Sequence, residues 1–354
     1  MTKPLKGRPV LRDLRVPAYK AMPSGVTKMN DNTNLFGVNP AIRRAAKTFD
    51  YSTLARYPSV LSDGLKSAIA KKLRVSDAQV LVGGGSDDVI DIIAKAFLEQ
   101  GDIVAVPSPS YEFYGMFAAL AGAKVVRCPL REPGFALDAE SVVSVKPRLA
   151  FLCSPNNPTG NTFSKKAIVE VLERTTAVVV LDGAYIEFAD APSLIRLVSK
   201  YDNLLVLRTF SKAYGLAGLR IGYCVGSERL VEEMSPARRP FALNSFSEAV
   251  AIEALKDDSF VRDVTETNRK ERTWLFKRFA ELGIAAYPSE ANFILFKSPI
   301  PASELLDLML DEGIALRDCS KQPTLKDCAR VTVGSRKDNE RFIGALASMA
   351  EVKR

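Results

Sequence analysis

From residue 79 to residue 211 the chain repeats one pattern: a short, nearly unbroken run of Val, Ile, Leu and Ala, followed by a segment of helical period. "QVLVGG" leads into "SDDVIDIIAKAFLEQG", where Val89, Ile92, Ile93, Ala96 and Phe97 recur at three and four residues and so share one helix face. "DIVAVPSPS" leads into "YEFYGMFAALAG", "KVVRCPL" follows, "RLAFLCSPNNPTG" leads into "SKKAIVEVLERT", and "AVVVLDGAY" and "NLLVLRTFS" complete the series. Strands that lack polar alternation are buried on both faces, and the intervening helices supply the cover. The pattern predicts an α/β fold with a mainly parallel sheet.

A different rhythm begins near residue 245, with two long helices, the strands "NFILFKSP", "IALRD" and "CARVTVGS", and a terminal helix from about Asp338. This reads as a smaller α+β unit. With 354 residues, the chain divides on this reading into an arm with part of the small domain (1–45), a large domain (46–245) and a small C-terminal domain (246–354).

The absence of histidine narrows the chemistry further. It removes the commonest general base, the Ser-His and Cys-His nucleophile pairs and the usual zinc ligands, and no metal site is expected. Proton transfer near neutral pH then falls to Lys, Asp, Glu, Tyr, Cys or a cofactor. The net charge of +8 is spread along the chain with no run of five basic residues. That pattern argues against a nucleic-acid arm, and suits either a small anionic substrate or solubility. Five cysteines without a CxxC spacing suggest a reduced compartment, and we expect a cytoplasmic protein. No signal peptide is expected, because the basic N-terminal stretch MTKPLKGRPVLRDLR has no continuous apolar core, and no membrane span, because no apolar run approaches 18 residues.

In open α/β sheets ligands bind beyond the carboxyl ends of the strands, so the polar residues after each apolar run are the candidates. "GGGSDD" (83–88) opens a helix, where free backbone N–H groups favour a phosphate; as a plain turn it would use Ser86 as N-cap, with Asp87 and Asp88 favouring the dipole. "SPNNPTGN" (154–161) is turn chemistry in which an Asn side chain could also donate to a cofactor oxygen. Asp182 ends an apolar run with no Lys or Arg within seven residues, and a buried carboxylate needs a cation. It either caps a turn or meets a protonated ring nitrogen. Lys212 follows "NLLVLRTFS" and is flanked by Gly215, Ala217 and Gly218, which let a bulky ligand approach the backbone. Desolvation there would lower its pKa and make it a nucleophile toward carbonyls, with Ser211 and Arg220 placed to hold a phosphate. Together these sites ask for a ligand with a phosphate, an aldehyde and a protonatable ring nitrogen, which describes pyridoxal phosphate.

"SPNNPTG", "DGAYIEF" and "TFSKAYGLAGLRIG", in this order and spacing, resemble the fold type I pyridoxal-phosphate aminotransferases, and within them the histidinol-phosphate aminotransferase group. The resemblance extends from "PAYKAMP" and "NDNTNLFG" through "RYP", "PSPSYEFY" and "SEANFILF" to "GIALRDCSKQPTLKDCARVTVG". It implies a seven-stranded sheet in a cofactor domain, a small domain, and a homodimer with active sites shared across the interface. Lys212 would carry the cofactor and move the proton at the substrate Cα. Asp182 would pair with the ring nitrogen, Asn157 and Tyr185 with the ring hydroxyl, and Tyr111 would stack on the ring. The phosphate would be held by Ser86, Asp87, Ser211, Arg220 and the other subunit's Tyr57. Arg330 and Arg317 would bind the substrate's anionic groups, with Tyr19 reaching it from the arm. Two departures from the family pattern are Gly183, where an acid is usual, and "NTNLFG" near residue 34.

The implied reaction takes an amino group from L-histidinol phosphate, in histidine biosynthesis, and gives it to 2-oxoglutarate. Alternatives are an aromatic (phenylalanine) aminotransferase and a threonine-phosphate decarboxylase. A ligand-sensing regulator is a rival from another class, but it would need a DNA-binding unit, for which the roughly 30 residues before the first motif look too short.

Overall fold

The computed structural model describes residues 23–351 together with Val10. Its central element is a seven-stranded sheet in the order β2-β8-β7-β6-β5-β3-β4. The strands are β2 (Val80–Gly83), β3 (Ile103–Ser108), β4 (Lys124–Pro129), β5 (Leu149–Cys153), β6 (Val178–Asp182), β7 (Leu204–Thr209) and β8 (Gly222–Val225). β1 (Thr27–Lys28) lies outside this sheet. The expected mainly parallel architecture is present, with β8 running antiparallel to both β2 and β7.

The unbroken apolar runs are explained by burial on both faces. Along β6 and β7, Val179, Leu181, Leu204 and Val206 enter one core, and Val180, Leu205 and Leu207 enter the other. The helix Ser86–Phe97 covers the second face with Val89, Ile90 and Ile93, while the helix Lys165–Arg174 covers the first with Ile168, Val171 and Leu172. Both faces are therefore dry, and ligand access falls to the sheet edges.

A second, three-stranded antiparallel sheet has the order β11-β12-β9, from β9 (Phe293–Lys297), β11 (Arg317–Asp318) and β12 (Cys328–Thr332). Its aromatic core includes Phe279, Phe296 and Phe342, contributed by the helix Ser259–Glu281, β9 and the helix Arg336–Glu351. β1 pairs in parallel with β10 (Ile314–Ala315), and the Thr332 amide donates to the Met29 carbonyl at 2.8 Å. The segment after β1 is thereby stitched to the small sheet and led over the carboxyl edge of the large one. The helix Ser245–Leu255 packs with the large sheet, burying Val250, Ala251 and Ala254 beside Ala41 and Ala45.

Candidate active site

Between the two sheets lies a cavity of about 140 Å³, lined by residues from the carboxyl ends of β5, β6 and β7, from the segment 30–32, and from β11 and β12. Asp182 ends β6 with its side chain buried. The Tyr114 hydroxyl donates to its Oδ2 at 2.5 Å and the Ala184 amide to its Oδ1 at 2.9 Å. Burial raises its pKa to about 6 against the pull of these two donors. No Lys or Arg among the described residues forms an ion pair with it; nearby Arg208 is engaged by Glu187 at 3.2 Å. Asp182 is thus a buried acid with room for a cation in front of it.

Lys212 follows β7 on a tight turn in which the Gly215 amide donates to the Lys212 carbonyl at 2.9 Å. Its Nζ donates to the Asp31 carbonyl at 3.0 Å and lies 5.7 Å from the centre of the Tyr185 ring. Removal from water, then the charge of Arg330, lowers its pKa to about 8. An appreciable fraction of this amine is neutral near neutral pH, as a nucleophile toward carbonyls requires.

The candidate anion cradle lies where the helix Ser86–Phe97 meets β8. The N-cap is Gly85, at φ +101°, one residue before the expected Ser86, because the chain must turn there through a conformation that side chains disfavour. A Cβ on Gly85 would meet Arg220 Nη2 at 2.7 Å, and one on Gly222 would stand 2.3 Å from the Ser86 nitrogen. Both glycines therefore allow the helix start, Arg220 and the strand to converge. Arg220 faces Asp87 across 3.6 Å, and the Tyr111 hydroxyl donates to Asp87 at 3.0 Å. Asp88 instead accepts from the Gly84 amide and Arg239, on the side away from the cleft lining.

On the opposite wall Arg317 and Arg330 are cross-strand partners in β11 and β12. Arg330 is buried and donates from Nη1 to Asn157 Oδ1 at 2.5 Å and from Nη2 to the Asn30 carbonyl at 2.6 Å. Asn157 and Asn32 in turn donate to the Tyr185 hydroxyl at 3.5 and 3.1 Å. One hydrogen-bonded chain thus joins the arginine of the small sheet to the tyrosine of the large one.

Of the residues expected from sequence, Ser86, Asp87, Tyr111, Asn157, Asp182, Tyr185, Ser211, Lys212, Arg220, Arg317 and Arg330 all line this cleft. Tyr57 does not: it is 83% exposed and stacked on Phe241 at 4.7 Å. Tyr19 lies outside the described residues. The sequence reading missed Asp31, Asn32, Tyr114 and Gln322 as parts of the site.

The donor set fits pyridoxal phosphate. A helix start, Ser211 and Arg220 suit its phosphate, a buried acid without an ion-pair partner suits its pyridinium, and a desolvated amine suits its aldehyde. The fold and these groups define a class of aminotransferase, and the family model for aminotransferase class I and II matches residues 24–346. The chain is 38% identical to the histidinol-phosphate aminotransferase of Geobacillus sp. (strain WCH70), over 93% of this chain and 91% of that one. It is 36% identical to that of Bacillus subtilis (strain 168), over 92% and 91%. The crystal structure of histidinol-phosphate aminotransferase from Sinorhizobium meliloti in complex with pyridoxal-5'-phosphate superposes with a TM-score of 0.88 at 25% identity, covering 99% of this chain and 98% of that one. Within the class I and II aminotransferases, this chain belongs to the histidinol-phosphate aminotransferase family.

Proposed function

We propose that the protein transfers the amino group of L-histidinol phosphate to 2-oxoglutarate, yielding imidazole acetol phosphate and glutamate, with pyridoxal 5'-phosphate as cofactor. The observation that carries this reading is the single cleft in which Asp182 and Lys212 face Arg317 and Arg330. When bound, the cofactor supplies an electron sink for the carbanion character that develops at the donor's Cα. Lys212 would anchor the cofactor, and its amine would take the proton from the donor's Cα and return one to the Cα of the 2-oxo acid. Asp182 would hold the ring nitrogen protonated, with the Tyr114 hydroxyl fixing its carboxylate. Asn157 and Tyr185 would hold the ring hydroxyl, Tyr111 would cover the ring, and the helix start at Ser86 and Asp87, with Ser211 and Arg220, would bind the phosphate. Arg330 and Arg317 orient the substrate's anionic groups so that its Cα faces Lys212.

We further propose a homodimer in which Tyr57 reaches the partner's phosphate site. The reading is supported by an exposed apolar surface that includes Tyr51, Leu54, Tyr57, Val60 and Phe241, which a second copy would cover. No helix among the described residues is long and apolar enough to cross a membrane, and all five cysteines are free and buried, in keeping with a cytoplasmic enzyme. The proposed units remain 1–45, 46–245 and 246–354, with the helix Ser245–Leu255 packed on the large one. Steady-state kinetics test the substrate directly. L-histidinol phosphate should exceed phenylalanine and threonine phosphate in kcat/KM, and a higher value for phenylalanine would move the enzyme to the aromatic group.

A further inference from the structure

Asn32 is 1% exposed and holds a left-handed backbone conformation, with φ +56°, which asparagine tolerates better than most residues. All four of its polar groups are engaged. Its amide donates to Thr332 Oγ1 at 3.1 Å, its carbonyl accepts from Asn292 Nδ2 at 3.0 Å, its Oδ1 accepts from Thr332 Oγ1 at 3.3 Å and its Nδ2 donates to the Tyr185 hydroxyl at 3.1 Å. Thr332 ends β12 and Asn292 precedes β9, so the small sheet grips Asn32 from two strands. A residue that only stitched the segment 30–32 to that sheet would need the first three of these bonds. The fourth runs to the large sheet's side of the cleft that Asn32 and Tyr185 both line.

The direction of each proton in this cluster follows from counting donors and acceptors. Thr332 Oγ1 already accepts from the Asn32 amide, and its own proton goes to Asn32 Oδ1. Turning the Asn32 side-chain amide over would leave that buried hydroxyl without an acceptor among the described residues, so Nδ2 is the group that faces Tyr185. Asn157 is fixed in the same way: its Oδ1 accepts from Arg330, which can only donate, and its Nδ2 meets Tyr185 at 3.5 Å. The Tyr185 oxygen thus accepts from two amides, and its proton has no acceptor among the described residues.

We propose that Asn32 is a positioning residue for the amino-transfer reaction, one that fixes the Tyr185 hydroxyl as a hydrogen-bond donor to the cofactor's ring hydroxyl oxygen. The inference rests on the reading that Tyr185 meets that oxygen. A phenol free to turn could accept there as easily as donate, whereas one that already accepts from two fixed amides is left to donate. A donor in that place favours the ionised ring oxygen. It therefore loosens the proton shared between that oxygen and the nitrogen that Lys212 contributes.

The test reads the pH midpoint of the visible absorbance change of the cofactor-loaded enzyme. Tyr185→Phe, which removes the donor, should raise this midpoint by on the order of one pH unit, and Asn32→Gly, which keeps the left-handed backbone but deletes the amide, should raise it by about 0.5 unit or more. Asn32→Gly added to Tyr185→Phe should shift it by less than about 0.3 unit further, because the hydroxyl it orients is gone. Should Asn32→Gly not fold, Asn32→Asp takes its place. The acceptor it sets opposite Tyr185 captures the proton, so the midpoint should rise by roughly twice as much or more with the hydroxyl present as in the Tyr185→Phe background. The charged and titratable groups near Tyr185, namely Arg330, Lys212, Asp182 and Cys153, are untouched in every variant. An unchanged midpoint in Tyr185→Phe would remove the reading and the inference together. A shift in Tyr185→Phe with none in the Asn32 variant, or an Asn32 effect equally large without the hydroxyl, would overturn the inference alone and leave Asn32 as a structural tie.

Discussion

On the wall of the cleft built by the seven-stranded sheet, burial pushes Asp182 up to about 6 and Lys212 down to about 8, so both ionisable groups are held toward their uncharged forms. On the wall built by the small sheet, Arg330 is equally buried but keeps a charge that no accessible pH removes, held in place by the Asn157 amide oxygen and the Asn30 carbonyl. In the proposed reaction one wall exchanges protons and the other holds anions. The difference teaches where energy is spent in the reaction. On the proposed reading, the groups with displaced pKa values take part in bond changes, and the guanidinium in its fixed geometry fixes the substrate. The walls still communicate, because Arg330 contributes to the lowered pKa of Lys212 and bonds the same Asn157 that reaches Tyr185.

Removing each group in turn sharpens this contrast. Lys212→Ala should lower kcat by on the order of 10⁴-fold or more, because no other described group occupies its place; a loss of less than about tenfold in single-turnover assays would break the proposed assignment. Asp182→Asn should lower kcat by about 10²–10³-fold while leaving the KM for the amino donor within a few-fold, as for other preorganised charges aimed at the reacting centre. Arg330→Gln should show the opposite split. Loss of a charge-assisted contact costs about 1.5–3 kcal/mol, roughly 10- to 100-fold, and should appear in the KM for the amino donor and for 2-oxoglutarate.

The pH dependence separates the walls a second way. The folded-state pKa of Lys212, about 8, lies below the roughly 10.4 of an unfolded lysine. Between those values the unfolded chain binds more protons, so the Lys212 contribution to apoprotein stability rises with pH across that window. Lys212→Met should therefore stabilise the apoprotein most below pH 8 and least above pH 10.4, as read by denaturant midpoints. The smallest effect is expected for Tyr114→Phe. Loss of its hydrogen bond to Asp182 removes a group that favours the carboxylate, at about 1 kcal/mol, and should raise the acid limb of the kcat profile by up to about one pH unit.

The wall of the large sheet was easier to read from sequence than the other. Its strands are continuous apolar runs whose ends fall at the ligand edge of a parallel sheet, so position marks Asp182 and Lys212, with the lack of a nearby cation for the first and the flanking Gly215, Ala217 and Gly218 for the second. Arg317 and Arg330 come together through the pairing of β11 with β12, which no local pattern announces; the family resemblance pointed to them instead. Asp31 acts through its backbone carbonyl, which has no side-chain signature. Tyr114 looks like any aromatic on the inner face of a helix until its hydroxyl is seen against Asp182. Tyr57 lies at the surface, and its proposed role calls for a second copy of the chain. The helix cap falls on Gly85 because the turn out of β2 takes a positive φ there, a backbone conformation that the capping preference for Ser does not register.

The most direct test of the account is covalent. Cofactor-loaded protein treated with borohydride, digested and analysed by mass spectrometry should carry a pyridoxyl group on the peptide containing Lys212 and nowhere else. The adduct on any other lysine, or no adduct after incubation with excess pyridoxal phosphate, would contradict the claim that this desolvated amine is the anchor on which the cleft is built.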